Sequence, residues 1–298
     1  MLDKDVLSDP PETLWQYTTF AGLQGILRGK LWASCLRFLN DANEFRQGTD
    51  RLQQALATQV KGAPGHPNQA ARSALLDYVT QYAPRYDGEG FYVACLSASR
   101  DDLSQWRAYA GRGGPAYAIG FNGPALASVA SKQKCQLKQV IYDQETQQAR
   151  TNSIVSNFLK KFDANITTRK PTISEDDYAN GGAIELVNAI TDEATLFKHE
   201  KFHAEREWRL ILPYPQPPLK FRESGSLAVP YKELELHKLP EDLAAARIAG
   251  TQIDSPITRV MLGPSPHPTE NKIALRLMAF TFWVKFEIEV SEIPYRNW

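Results

Sequence analysis

The sequence predicts an α+β fold, a central mixed or antiparallel sheet flanked by helices, and three observations predict it. Short runs rich in aromatic and β-branched residues recur in both halves of the chain, from Leu14 to Val290. Amphipathic helical segments fall between them. One long stretch, 144–200, carries helical periodicity and no strand signal. Together these give a single α+β domain over 1–298, with 144–200 as a helical insertion within it.

Taken in order, Leu14 to Thr19 is aromatic and β-branched and predicts a first strand, and Phe20 to Leu27 predicts a helix that Gly29 stops. Leu31 to Ser34 returns to extended chain. From Asn40 to Leu56, helical spacing of Phe45, Leu52 and Leu56 predicts a helix packed on the core. The breaker-rich run Lys61 to Pro67 ends it, and a further helix spans Gln69 to Tyr82. Gly90 to Leu96 reads as a buried strand, Ser99 to Asp102 as a polar turn, and Leu103 to Ala110 as a helix ended by the glycines of 111–114. Strands follow at Ala116 to Phe121 and Gln139 to Tyr142. In the helical stretch, Ile154, Phe158 and Phe162 share one face, with breaks at Pro171 and Gly181-Gly182. Strands resume at Glu207 to Leu212, Leu227 to Pro230, Ile257 to Leu262 and Phe282 to Val290, with a helix from Asn271 to Met278.

Composition narrows the function classes. Thirty-four basic residues balance thirty-four acidic ones, so no whole-molecule field gathers nucleic acid or anionic lipid, and any such site must be local. Cys35, Cys95 and Cys135 are odd in number, far apart and outside any paired metal spacing, which fits a reducing compartment. Cys95 sits in the apolar run Phe91 to Leu96 and reads as a small buried hydrophobe. The first residues lack the apolar stretch of a signal peptide, and no segment reaches the ~20 apolar residues of a membrane span. The expectation is a cytoplasmic protein without a membrane partner.

Four segments carry candidate chemistry. His199-Glu200-Lys201-Phe202-His203 fits the H-E-x-x-H pattern, in which two imidazoles one helical turn apart bind zinc and the glutamate acts as base. No third ligand follows on a helix, so no metal is favoured, and histidines near carboxylates at a helix end are the alternative. In Glu205 to Leu210, extended chain would put Glu205, Glu207 and Arg209 on one face and Arg206, Trp208 and Leu210 on the other. Such closely spaced carboxylates can hold a polar ligand or stabilise positive charge developing at a sugar carbon. An exposed strand face on which the three simply pair is the alternative. Ser97 and Ser99 follow the buried strand, where small hydroxyls allow a ligand close approach, but no partner base lies nearby in sequence. Trp106, Arg107 and Tyr109 can stack on a base or nicotinamide ring from one helix, with core packing of Trp106 as the alternative. The glycines of 111–114 precede a strand rather than open a helix and are not a dinucleotide fingerprint.

Set in order, Tyr17-Thr18-Thr19, Ile26-Leu27, Leu31 to Ser34, Asn40-Asp41 with Glu44, Cys95 to Ser99, Trp106 with Tyr109, Gly120-Phe121, Lys198, Glu205 to Arg209 and Leu262-Gly263-Pro264 resemble the bacterial family called domain of unknown function 2971. Gln105 departs from that pattern where an apolar residue is expected, and Ala108 where a histidine is. That family implies no settled activity. The order of a Tyr-Thr first strand, Ser-x-Ser after a middle strand and Glu-x-Glu on a late strand more distantly resembles ADP-ribosyltransferases. This second resemblance implies a related fold, NAD as substrate, Glu207 as the catalytic carboxylate and Glu205 orienting the acceptor. It also implies NAD contacts from Tyr17, Thr18, Ser97, Ser99, Trp106, Tyr109 and Arg209. Gln16 and Tyr17 stand where those enzymes carry Arg or His. The function so implied is an NAD-consuming transferase or NAD glycohydrolase, a toxin or phage-defence effector, with a protein or nucleic-acid acceptor. A noncatalytic nucleotide or nucleic-acid binding module and a zinc hydrolase using His199, Glu200 and His203 are the rival readings.

Overall fold

A computed structural model describes residues 9–39, 42–85, 88, 90–109, 115–166, 168, 172–212 and 218–294; of residues 42–45 and 109 it describes the backbone alone. Asn40, Asp41, Pro171 and the glycines of 111–114, read above as landmarks or breakers, lie outside the described residues, as do the side chains of Glu44, Phe45 and Tyr109.

The elements follow the residue pattern closely at first. Strand β1 (Thr13–Thr19) runs into helix α1 (Phe20–Leu27), and β2 (Lys30–Cys35) follows. Gly29 makes the reversal between them with φ +83°, a left-handed conformation that a Cβ would strain. Helices α2 (Ala42–Lys61) and α3 (Gln69–Tyr82) precede β3 (Tyr92–Ser97), the short α4 (Leu103–Tyr109) and β4 (Ala116–Asn122). Helix α5 (Gly123–Lys132) comes next, opened by the Asn122 side chain, which accepts from the Ala125 N–H, and by Pro124 in the first turn. Strand β5 is Gln136–Gln139, three residues before the expected Gln139 to Tyr142. Beyond Gln139, Ile141 makes an isolated bridge to Phe197.

The helical stretch is α6 (Gln144–Ile166) and α7 (Glu175–Ala194). The rest of the chain forms β6 (Glu207–Ile211), β7 (Lys220–Ser224), β8 (Leu227–Glu235), α8 (Leu243–Ile248), β9 (Ile257–Leu262), α9 (Pro268–Phe282) and β10 (Glu287–Val290). The last strand is shorter than expected because α9 runs on to Phe282, where Trp283 caps it at φ 56°.

The chain divides into two compact units, one of residues 1–34, 92–139 and 203–298, the other of 35–91 and 140–202. The first holds a ten-stranded, mostly antiparallel open sheet with the path β10-β9-β4-β1-β3-β2-β8-β7, from which β6 branches beside β3 and β5 beside β6. β9 and β10 pair in parallel, whereas β1·β3, β1·β4, β2·β8, β3·β6, β4·β9, β5·β6 and β7·β8 pair antiparallel. Register places Arg259, Gly120, Trp15, Ser97 and Glu207 in one row across β9, β4, β1, β3 and β6. Cross-strand partners share a face, so the sequence's first strand, its Ser97 and its late glutamate are brought side by side.

The second unit is helical. Leu52, Leu56, Leu75, Val79, Val155, Leu159, Phe162, Leu186 and Ile190 from α2, α3, α6 and α7 form one buried cluster. The helices of 144–200 therefore bury their apolar faces together with those of 42–82. Asp163 of α6 pairs with Arg72 of α3 and accepts from Asn68. Burial alone would raise its pKa, but the hydrogen bonds from Arg72 and Asn68 and the nearby positive charge outweigh it and hold the carboxyl below its ordinary range.

Candidate active site

The site grows out of the row of partners on one face of the sheet. Trp15 and Tyr17, two residues apart on β1, point to the same side, and both are buried with Trp106, Ala116, Ala118 and Met261. Tyr17 and Trp106 meet edge to face with ring centroids 4.7 Å apart, a favoured aromatic geometry. Trp106 is sunk to 1% exposure, and its indole N–H donates to Asp101 Oδ1 at 2.8 Å. A Cβ on residue 263 would lie 2.9 Å from the Trp106 ring and 3.0 Å from Ala116 Cβ, so Gly263 is a packing requirement of this tryptophan.

The segment between β3 and α4 is held on all sides. The Tyr17 hydroxyl donates to the Ser99 carbonyl and accepts from the Asp102 N–H, both at 3.0 Å. Burial pushes the Tyr17 pKa up to about 12, so the phenol keeps the proton it donates. Ser97 Oγ donates to the Glu205 carbonyl at 2.6 Å and accepts from the Ser99 N–H at 3.0 Å. Ser99 Oγ donates to the Ala204 carbonyl, and the Ala98 N–H to the Arg206 carbonyl. Asp102 caps α4, accepting from the Ser104 and Gln105 N–H groups. Asp101, at φ 54°, also receives the Ser291 hydroxyl and the Glu292 N–H.

The Glu205 to Arg209 run differs from an unbroken strand. Arg206 adopts φ 44°, so Glu205 ends a 3-10 helix, Glu200–Glu205, and β6 begins only at Glu207. Glu207 and Arg209 do share a face, but that face is buried, at 3% and 1% exposure. Arg209 Nε donates to Glu207 Oε1 at 2.7 Å. The exposed charged face is thus replaced by a buried ion pair, a geometry that survives only with good mutual pairing.

These residues enclose a pocket of ≈ 320 Å³, counting its open mouth, lined by Trp15, Gln16, Tyr17, Cys95, Leu96, Ser97, Gln105, Glu205 and Glu207. Most of that space is the open mouth; the enclosed part is about 30 Å³, well below the usual small-ligand range, so a ligand ring here would sit largely in the mouth. The structure brings Tyr17, Ser97, Glu205 and Glu207 together there. Arg209 stands behind Glu207 and does not line the pocket, and Trp106 is a core side chain beneath Tyr17 rather than a stacking surface. Thr18 alternates to the other side of β1, where its hydroxyl occupies the space a Cβ on Gly22 would take. Ser99 acts through its backbone and hydroxyl on the loop. Cys95 is half-buried in the pocket wall rather than a fully buried hydrophobe, and no disulfide joins the three cysteines.

The H-E-x-x-H stretch does not present a turn of α-helix. Glu200 and His203 lie on the 3-10 helix, where residues four apart do not stack on one face. Among the described residues no group of three or more His, Cys, Asp or Glu is arranged to hold a metal ion, and no helix is long and apolar enough to cross a membrane.

Sequence reasoning passed over Gln105 as a site residue. It is 6% exposed and lines the pocket, and its signal was a polar residue set directly before a buried tryptophan.

No curated protein and no solved structure matches the chain. A family model described as Protein of unknown function (DUF2971) matches residues 105–210. That span takes in Gln105, Trp106, Gly120-Phe121, Lys198 and the Glu205 to Arg209 run, so the resemblance to the DUF2971 family is supported over residues 105–210.

Proposed function

We propose that this pocket takes the nicotinamide–ribose end of NAD and that the protein cleaves the bond between them, as an ADP-ribosyltransferase or NAD glycohydrolase. The observation that supports this reading is the shared lining by Tyr17, Ser97, Glu205 and Glu207, three stretches far apart in the chain. In such a reaction the C1′–N1 bond breaks, its electron pair goes to the pyridinium nitrogen, and nicotinamide leaves neutral. Positive charge develops on the ribose, and Glu207, fixed in orientation by Arg209, is the carboxylate that stabilises it. An acceptor hydroxyl then bonds to C1′ and gives its proton to Glu205. Tyr17 and Ser97 are positioning residues, since both hydroxyls are engaged in holding the 97–102 loop.

Water or a macromolecule serves as acceptor in this reading, the setting is cytoplasmic, and NAD depletion or target modification suits a toxin or antiviral effector. One observation favours a second reading, a noncatalytic nucleotide-binding module: Glu207 is already committed to Arg209. Incubating the full chain with NAD, with and without cell lysate, and measuring nicotinamide by chromatography separates the two. Time-dependent release is expected. Saturable NAD binding with no release under either condition would replace the transferase with the binding module.

A further inference from the structure

The pocket wall holds a side-chain amide on α4. Gln105 on α4 is 6% exposed and lines the pocket. Its backbone N–H is bonded to Asp102, but its carboxamide has no hydrogen-bond partner among the described residues. A carboxamide offers both donors and an acceptor in one plane. The same wall carries a carboxylate at Glu207 and another at Glu205. Arg209 is drawn to Glu207 and stands outside the lining, so no cation faces the cavity among the described residues.

We infer that Gln105 is the specificity residue of this site, reading the planar amide of a ring-borne carboxamide and rejecting the corresponding carboxylic acid. The Gln105 amide donates to the ligand's carbonyl oxygen. The ligand's NH₂ donates in return to a carboxylate or to the Gln105 carbonyl. An anionic carboxylate in the same place has no NH₂ to give, faces acidic side chains and meets no lining cation. Gln16 also lines the pocket, and its buried Oε1 has no partner among the described residues, so it offers the ligand's NH₂ a further acceptor. The inference rests on the nucleotide-site reading for the ring that bears the amide, but its test does not depend on turnover.

The experiment measures binding of nicotinamide, benzamide and nicotinic acid to the full chain by calorimetry, for wild type, Gln105→Met and Gln105→Glu. Wild type is expected to bind both amides about tenfold or more tighter than the acid, the scale of one well-placed polar interaction. In Gln105→Met the ratio is expected to fall to about one, with the far-ultraviolet spectrum unchanged. Gln105→Glu, which keeps the shape and loses the donors, is expected to lose the amide as well. Equal affinity of wild type for amide and acid, no binding of either amide, or an undiminished ratio in Gln105→Met would each overturn the inference. Amide preference without nicotinamide release from NAD upholds it while removing the cleavage reaction. Release with an unaltered ratio in Gln105→Met does the reverse.

Discussion

Glu207→Gln is expected to lower nicotinamide release by about 100-fold or more, the usual consequence of removing a group aimed at developing transition-state charge. The amide keeps the size of the carboxylate but loses its charge. Nicotinamide-ring binding is expected to change far less, because Gln105 remains. A folding control belongs beside the rate, since Arg209 is fully buried against Glu207 and the change takes that carboxylate charge away. If the variant stays folded by circular dichroism and still releases nicotinamide at the wild-type rate, Glu207 is not the charge-stabilising group.

The second large effect is on stability. Arg209→Met is expected to cost about 3–5 kcal/mol, the scale on which breaking a buried ion pair leaves one charge stranded. Glu207→Leu combined with Arg209→Met is expected to recover most of that loss, because two apolar side chains of similar volume satisfy a buried site without desolvating charge. Denaturant unfolding of wild type, Glu207→Leu, Arg209→Met and the double variant gives the coupling directly. Additive losses in the double variant would mean that the two side chains are stabilised by other neighbours and not chiefly by each other.

Such behaviour explains why the site was only half legible in the sequence. Spacing put Glu207 and Arg209 on one face, and that is where they are. Nothing in the sequence showed that the face is buried, because burial comes from the neighbouring strands: Ser97 and Cys95 of β3 lie opposite Glu207 and Arg209. Glu205 was drawn onto the same strand because the turn at Arg206, with its positive φ, has no glycine or asparagine to announce it. The row from Trp15 through Ser97 to Glu207 is a matter of strand order and register, which composition and periodicity do not carry.

The elements themselves show the same division. Helices over Phe20–Leu27 and Gln69–Tyr82 and the strand Ile257–Leu262 fall where local pattern put them, because strong periodicity or a β-branched run coincides with clear stop signals. Helix α5 was missed although Asn122 and Pro124 form a good start signal, since its small residues give little apolar contrast. Strand β7 escaped because Lys220–Ser224 is largely exposed and lacks the alternation that marks a half-buried strand. The strand expected at Gln139 to Tyr142 was drawn toward apolar Val140-Ile141-Tyr142, whereas the ladder is made by the polar residues before it, on the outer side of β6.

The location of NAD in a crystal of the slow Glu207→Gln variant tests the central claim most directly. The nicotinamide ring is expected in the pocket of Trp15, Ser97 and Gln105, with the ribose C1′ facing residue 207. Dinucleotide density elsewhere on the protein, with that pocket filled only by water, would contradict it.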